Sequence, residues 1–257
     1  MKKKIFVLMI FCFMVKVVVA EDYDLEVNGR VSDTDVNVYS FNIRRDYTDY
    51  SIDVISYFDP ISTEGKPLAE AAFLSRGSNF NFGVDRSEQI DDYDTTLKLG
   101  VEWFSKDTNL YFALDYQYTE EDFGDDQSSQ ATIGFLPADG LLISTTFDDG
   151  YGHSPNLAVK YVKSFDSGKA VNLYGNLIDG DNATQYTLGF DYYLSPVSSL
   201  GFEYVDFSDS PRSTPLETIF RAKHFLGESI YVLGFYTNRN TGVSESDTYG
   251  VEMGFRF

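Results

Sequence analysis

Sulfur, histidine and positive charge are all scarce in this chain. Of 257 residues one is Cys and four are Met, and Cys12, Met1, Met9 and Met14 all fall in the first twenty positions. The 237 residues that follow contain no thiol, which excludes a disulfide scaffold, a thiolate metal site and a cysteine nucleophile. Only His153 and His224 could supply an imidazole. Lys and Arg number 20 against 40 Asp and Glu, for a formal net charge of −20, and a protein that grips phosphates needs the opposite sign, so nucleic acid is not a partner. No window beyond the first twenty residues holds 18 consecutive apolar residues, so the chain has no membrane-spanning helix.

Residues 1–20, MKKKIFVLMIFCFMVKVVVA, carry three early Lys, an apolar run from Ile5 to Val19 and a small residue at Ala20. These are the three regions of a secretory signal, with cleavage expected between Ala20 and Glu21. An uncleaved anchor fits less well, because Lys16 interrupts the run and the acidic stretch EDYDLE follows directly. A lipoprotein signal would need a small residue before Cys12, where Phe11 stands. Removal of the four Lys in the signal leaves a barrel segment, 21–257, with sixteen basic and forty acidic residues.

In that segment apolar residues recur at every second position, the period of a strand with two unlike faces. Tyr93, Leu97, Leu99, Val101 and Trp103 alternate with Asp94, Thr96, Lys98, Gly100 and Glu102. Leu110, Phe112, Leu114 and Tyr116 alternate with Tyr111, Ala113, Asp115 and Gln117, and the pattern returns at 184–194 and 247–257. Fourteen such runs are expected, near 36–44, 50–58, 78–86, 93–104, 109–118, 129–136, 140–148, 156–163, 169–178, 184–194, 198–207, 216–225, 228–237 and 247–257. Residues 24–31 are left as a further strand or an ordered arm, which holds the count between 12 and 16. So much strand is unusual for a soluble domain and ordinary for a closed barrel.

Connectors alternate as well. One set is short: 105–108, 137–140, 164–168, 195–197 and 226–227. The other is longer or more polar: 119–129, 149–155, 179–183, 208–215 and 238–246. Transmembrane barrels have short periplasmic turns and longer outer loops. A secreted β-sandwich is the rival architecture, but its strands are typically five or six residues, whereas runs of nine to eleven suit a tilted bilayer crossing. Aromatic residues crowd the strand ends at Tyr57 and Phe58, Trp103 and Phe104, Tyr192 and Tyr193, and Phe255 and Phe257. That placement is expected of interfacial girdles. The fold expected is therefore all-β, a transmembrane antiparallel up-and-down barrel.

The chain ends on Phe257 after apolar residues at every second position back to Tyr249. This ending resembles the signal that outer-membrane barrels offer to their assembly machinery. The stretch YFDPISTEGKPLAEAAFLSR at 57–76 resembles the hallmark segment of a porin family of Gram-negative outer membranes, through Tyr57, Phe58, Pro60, Gly65, Pro67, Leu68, Ala69, Glu70, Ala71, Ala72, Phe73 and Leu74. The match covers about 20 residues, and the rest of the chain agrees in pattern only. The resemblance implies a porin-type barrel in the outer membrane, in contact with its lipid and lipopolysaccharide, and names no substrate. Read from its residues, 59–77 is a long connector on the short-turn side. Pro67 can start a helical turn, and Leu68, Ala71, Ala72 and Phe73 lie near helical spacing. A short helix tucked into the barrel mouth and an exposed loop with a strand start at 70–75 are both open.

Chemistry is sparse. His153 stands beside Ser154 and near Asp148 and Asp149, but Gly150 and Gly152 suit a flexible loop, and His224 has no Ser or acid close in sequence. No catalytic residue is assigned and no enzyme is expected. The clusters Glu120, Glu121, Asp122, Asp125 and Asp126, and Asp179 and Asp181, lack calcium-loop spacing, so no metal or cofactor is expected. The polar faces carry the function instead. Lys98, Glu102, Asp115, Lys160, Asp191, Glu203, Arg221, Glu252 and Arg256 are expected to line a water-filled pore, where rings of charge bias passage. In 216–237 both parities carry apolar residues, so Arg221 and Lys223 are the least constrained of these face assignments. The expected function is passive diffusion of small hydrophilic solutes or ions with a preference for cations. A plugged barrel acting as a surface scaffold or adhesin is the alternative, and a homo-oligomer is compatible with either.

Overall fold

The computed structural model describes residues 22–39, 43–88, 93–120, 124–149, 156–165, 168–179, 184–208 and 216–257. The segment expected as a signal, 1–20, lies outside them, as does His153. Fourteen strands form one closed ring: β1 (Asp22–Val38), β2 (Ile43–Ser62), β3 (Asn79–Glu88), β4 (Tyr93–Phe104), β5 (Leu110–Glu120), β6 (Asp126–Ala138), β7 (Leu141–Asp148), β8 (Asn156–Ser164), β9 (Ala170–Asp179), β10 (Thr184–Ser195), β11 (Ser198–Ser208), β12 (Leu216–Phe225), β13 (Ile230–Asn240) and β14 (Ser244–Arg256). Every strand pairs antiparallel with its sequence neighbours, and β1 closes the ring against β14 from Glu26↔Arg256 to Val38↔Ser244. Closure leaves no unpaired sheet edge, which is what a barrel in lipid requires of its backbone.

Alternation decides which face points where. Large apolar side chains stand exposed on the outer face of β2 to β12 and of β14; Ile52 and Leu114 are each 59% exposed and Leu188 is 65% exposed. Water-soluble proteins do not carry a continuous apolar belt of this extent. The other face of each strand points into the ring. There Arg221 of β12 reaches Asp191 of β10 and Tyr174 of β9, contacts that skip intervening strands and require a concave interior.

Two expectations need correction. The strand placed at 36–44 does not exist as a unit. Residues 36–38 end β1, 43–44 begin β2, and the ring's first strand is the segment left open at 24–31. The cause is local: the outward face of β1 carries Leu25, Val27 and Val31, but Gly29 interrupts them and Asp33 and Asp35 follow, so its alternation is weak. The outer connectors are also shorter than expected. The strands run on past the apolar belt, leaving 241–243 between β13 and β14 where 238–246 was expected. No connector at that end exceeds the seven residues of 149–155 or 209–215.

Both chain ends and the connector 63–78 lie at the opposite end of the ring, since β1 and β14 run antiparallel. Tight turns there depend on Gly140, whose φ is +73° and whose added Cβ would lie 2.2 Å from the Val162 carbonyl oxygen. Gly140→Ala should therefore combine backbone strain with a backbone clash and destabilise the barrel by about 1–3 kcal/mol. A lowered temperature for the heat-induced shift in gel mobility of the folded protein checks this.

Candidate functional site

The interior is occupied at the end that bears the termini. Residues 63–78 leave β2 and fold back inside the ring as a 3-10 turn (Leu68–Glu70) running into a single-turn helix, α1 (Ala71–Leu74). Pro67 supplies the fixed φ of −60° at the start. At the finish Gly77 N–H donates to the Ala72 carbonyl (2.9 Å) and Arg76 N–H to the Phe73 carbonyl (3.0 Å), a Schellman pair. Arg76 rather than glycine takes the left-handed position, φ 55°. Its guanidinium donates to Asn109 Oδ1 at 2.7 Å, an anchor that glycine could not provide.

This segment is seated on three sides. Ala71 and Ala72 pack on Tyr23, Ile61 and Tyr57 of β1 and β2. Phe73 packs on the Phe104, Tyr111, Ala113 and Leu136 cluster of β4 to β6. Leu68 packs on Phe225 and Tyr231 of β12 and β13. Polar bonds complete the seat. Leu68 N–H donates to the Pro196 carbonyl in the β10–β11 turn (2.9 Å), and Arg256 Nη1 donates to the Leu68 carbonyl (2.9 Å). Glu70, 5% exposed, accepts from Tyr193 Oη at Oε1 and faces Lys160 Nζ at Oε2, each at 2.7 Å. A buried carboxylate is tolerated only when both oxygens are compensated in this way. Of the two sequence readings of 59–77, the packed short helix is the one found, and no strand starts at 70–75.

All nine residues expected on the polar face lie on the interior face, opposite the apolar belt. Several are brought together. Arg221 Nε reaches Asp191 Oδ1 (2.7 Å) and Nη1 reaches Glu203 Oε2 (3.2 Å), while Nη2 donates to Tyr174 Oη, which itself donates to Glu203. Arg256 Nε donates to Glu26 Oε2 (2.8 Å), and its guanidinium lies over the Tyr23 and Phe225 rings. Glu252 accepts from Tyr231 Oη (2.7 Å), and Glu102 from Asn79 Nδ2 (3.0 Å) and Tyr111 Oη (3.1 Å). Lys98 pairs with Asp85, and Lys160 with Glu70. Asp115 joins none of these groups, and the nine do not form a single ring around the lumen. His224 is exposed on the outer face, with Nδ1 2.8 Å from Ser198 Oγ and no carboxylate paired to it among the described residues.

Sequence reasoning offered the tucked helix as one of two readings but not the residues that hold it. Glu26 and Tyr231 carry no sequence signal, Glu70 enters only through the family resemblance, and Tyr193 only as a strand-end aromatic. The one available signal was a lone Glu within the apolar run PLAEAAFL. The aromatic pairs at strand ends were also misjudged as girdle residues. Phe58, Trp103 and Tyr192 do face out, but Tyr57, Phe104 and Tyr193 turn inward to surround the plug. The apolar residues on both parities of 216–237 have the same explanation, because Phe225, Tyr231 and Leu233 belong to the plug's seat.

Beyond the plug the interior holds a cavity of about 300 Å³ between β1 to β4 and β14, and another of about 420 Å³ between β1, β2 and β12 to β14.

No family model matches the chain, and no curated protein is similar to it in sequence. Its fold does match a solved structure, the outer membrane protein Omp33 of Acinetobacter baumannii, at 20% identity with a TM-score of 0.74, over 92% of this chain and 99% of that one. The translocator domain of the autotransporter NalP from Neisseria meningitidis is looser, at 12% identity and a TM-score of 0.44 over 91% of this chain and 88% of that one. A mutant porin of Rh. blastica aligns at 10% identity and 0.48 over 90% and 99%. The Omp33 likeness establishes the barrel architecture.

If the seat holds the plug as described, the Arg76–Gly77 bond should resist trypsin in the folded barrel. Glu70→Ala leaves the Tyr193 hydroxyl and the Lys160 ammonium unpaired, a loss of about 1–3 kcal/mol, and should make that bond cleavable. Mass spectrometry of the fragments reads the outcome.

Proposed function

We propose that the chain is an outer-membrane porin of a Gram-negative cell, a channel for passive diffusion of small hydrophilic solutes or ions, captured with one end closed by residues 63–78. The observation that carries this reading is the inversion of polarity: an apolar belt outside and a charged, water-sized interior. A polar interior lets water and solutes occupy the ring wherever no segment fills it. The likeness to Omp33, an outer-membrane protein, supports the location. The apolar, Lys-led first twenty residues support export through a cleaved signal. Phe257, exposed at the end of β14, supports delivery to the barrel-assembly machinery.

The charge that remains uncompensated favours cations. Lys98, Lys160, Arg221 and Arg256 all have carboxylate partners, whereas Arg30 and Lys223 lie over aromatic rings with no ion pair among the described residues. Asp49, Asp53, Asp94 and Asp115 face the lumen with no ion pair among the described residues. A pore lined this way attracts cations and repels anions. No step of chemistry is involved, and the charged residues act by electrostatic bias alone.

The plug itself favours the second reading, a closed barrel serving as a surface scaffold. Two features weigh against it. The outer connectors are too short to display much surface, and the side-chain bonds of Glu70 to β8 and β10 can break while the ring stays shut. Opening the plug costs those bonds and the exposure of Leu68, Ala71, Ala72 and Phe73.

Single-channel recording in planar bilayers decides between them. The folded chain should show infrequent ohmic openings with a reversal potential favouring K⁺ over Cl⁻. Glu70→Ala should raise the open fraction about tenfold or more, the factor that 1.4 kcal/mol or more of lost closure implies. Folded, inserted protein that stays silent in both forms would sink the channel and leave the scaffold.

A further inference from the structure

Arg30 differs from the lumen cations that pin the structure together. Among the described residues Arg30 makes no ion pair and no side-chain hydrogen bond. Its guanidinium lies over the Phe235 ring, 4.4 Å from the centroid, and is exposed to the lumen. Its register partner on β14, Glu252, is already engaged by Tyr231. A guanidinium held by its flat face keeps its edge donors free, and those donors match a carboxylate in bidentate fashion.

The opposite charge stands beside it. Arg30 is paired across the sheet with Ser51, and Asp49 and Asp53 flank Ser51 on the same inward face. They are thus the diagonal neighbours of Arg30, about 7–8 Å away. Neither aspartate makes an ion pair or a side-chain hydrogen bond among the described residues. Between Arg30 and the aspartates stands only the small Ser51 of β2, and the far wall, on β3 and β4, carries Gly83 and the paired charges Lys98 and Asp85. The result is a recess of about 300 Å³ that continues into the larger cavity, which shares Arg30 and Asp49.

We propose that this recess binds a small zwitterion of the free amino acid type, its carboxylate on Arg30 and its ammonium on Asp49, the aspartate that both cavities share, with Asp53 adding negative charge on the other side of Ser51. A simple cation meets Arg30, and a simple anion meets the two aspartates. A solute carrying both charges a few bonds apart satisfies each side at once. The assignment deepens the channel reading and rests on it for the solute's access from outside.

Three matched probes test it on the folded chain in detergent, by titration calorimetry and by the NMR signal of the Arg30 guanidinium: alanine, ethylamine and propionate. Alanine should bind at least about tenfold more tightly than either single-charge probe, since each charge-assisted contact is worth about a factor of ten. Arg30→Gln should weaken alanine about tenfold or more while sparing ethylamine. The Asp49→Asn, Asp53→Asn double variant should weaken alanine similarly while sparing propionate. Heat-shifted gel mobility confirms that each variant is folded. Equal binding of alanine and ethylamine, or alanine binding unchanged in Arg30→Gln, overturns the proposal. Binding is read without current, so the two readings fail separately: a conducting barrel that ignores alanine sinks the recess alone, and an alanine-binding barrel that never conducts sinks the channel alone.

Discussion

The seam between β1 and β14 is the constraint on which everything else hangs. Thirteen residue pairs, from Glu26↔Arg256 to Val38↔Ser244, join the first strand to the last. The chain's last residue extends the seam, with Phe257 N–H donating to the Leu25 carbonyl and its carbonyl accepting from Asp24 and Leu25. Without this seam the sheet would have two open edges, each a row of unpaired peptide groups that lipid cannot solvate. With it, every strand has two neighbours and the apolar faces can point outward together. Because the seam joins residues more than two hundred positions apart, closing it carries a large loop-closure cost and is intrinsically slow.

The seam and the plug share one residue. Arg256 pairs with Glu26 across the seam and donates to the Leu68 carbonyl in the plug, while its guanidinium stacks on Tyr23 and Phe225. Closing the ring therefore also builds the platform that receives Leu68. On the opposite wall Glu70 plays the matching part with Tyr193 and Lys160. The two anchors differ in kind. The Arg256 anchor is tied to ring closure and cannot be released without loosening the seam. The Glu70 anchor touches only side chains of β8 and β10, so it can break while the ring stays shut. If the plug moves, the physics favours a hinge on the Arg256 side and release on the Glu70 side.

The barrel itself was legible because its signal is redundant. The runs from 78–86 through 247–257 each repeat the same two-residue period, so the strands β3 to β14 fall close to their expected bounds. The first strand was not legible because Gly29 and the acids Asp33 and Asp35 dilute the outward face of β1, and its place in the ring depends on β14, far away in sequence. The interior was legible in part. Parity alone puts Lys98, Glu102, Asp191 and Arg256 inside, but parity says nothing of which charges meet. The Arg221 cluster and the free guanidinium of Arg30 depend on register between strands, which one strand's pattern does not encode.

The plug explains the places where the pattern failed. A water-filled barrel should have a polar inner face along its whole length, and this one does not. Near the termini Tyr57, Phe104, Tyr193, Phe225 and Tyr231 face inward, and they are the residues that spoil clean alternation in the sequence. Each lies against the plug or bonds to it. An aromatic ring on both parities at a strand end is therefore evidence of a second apolar surface inside the ring. A segment must be present to cover that surface, since such rings facing an empty, wet lumen would lose the burial that stabilises them. On this argument the connector 63–78 and the inward aromatics belong together. Substituting Leu68 and Phe73 with polar residues would expose the inner rings to water as well as loosen the plug, so the open state carries a cost that keeps the closed one favoured.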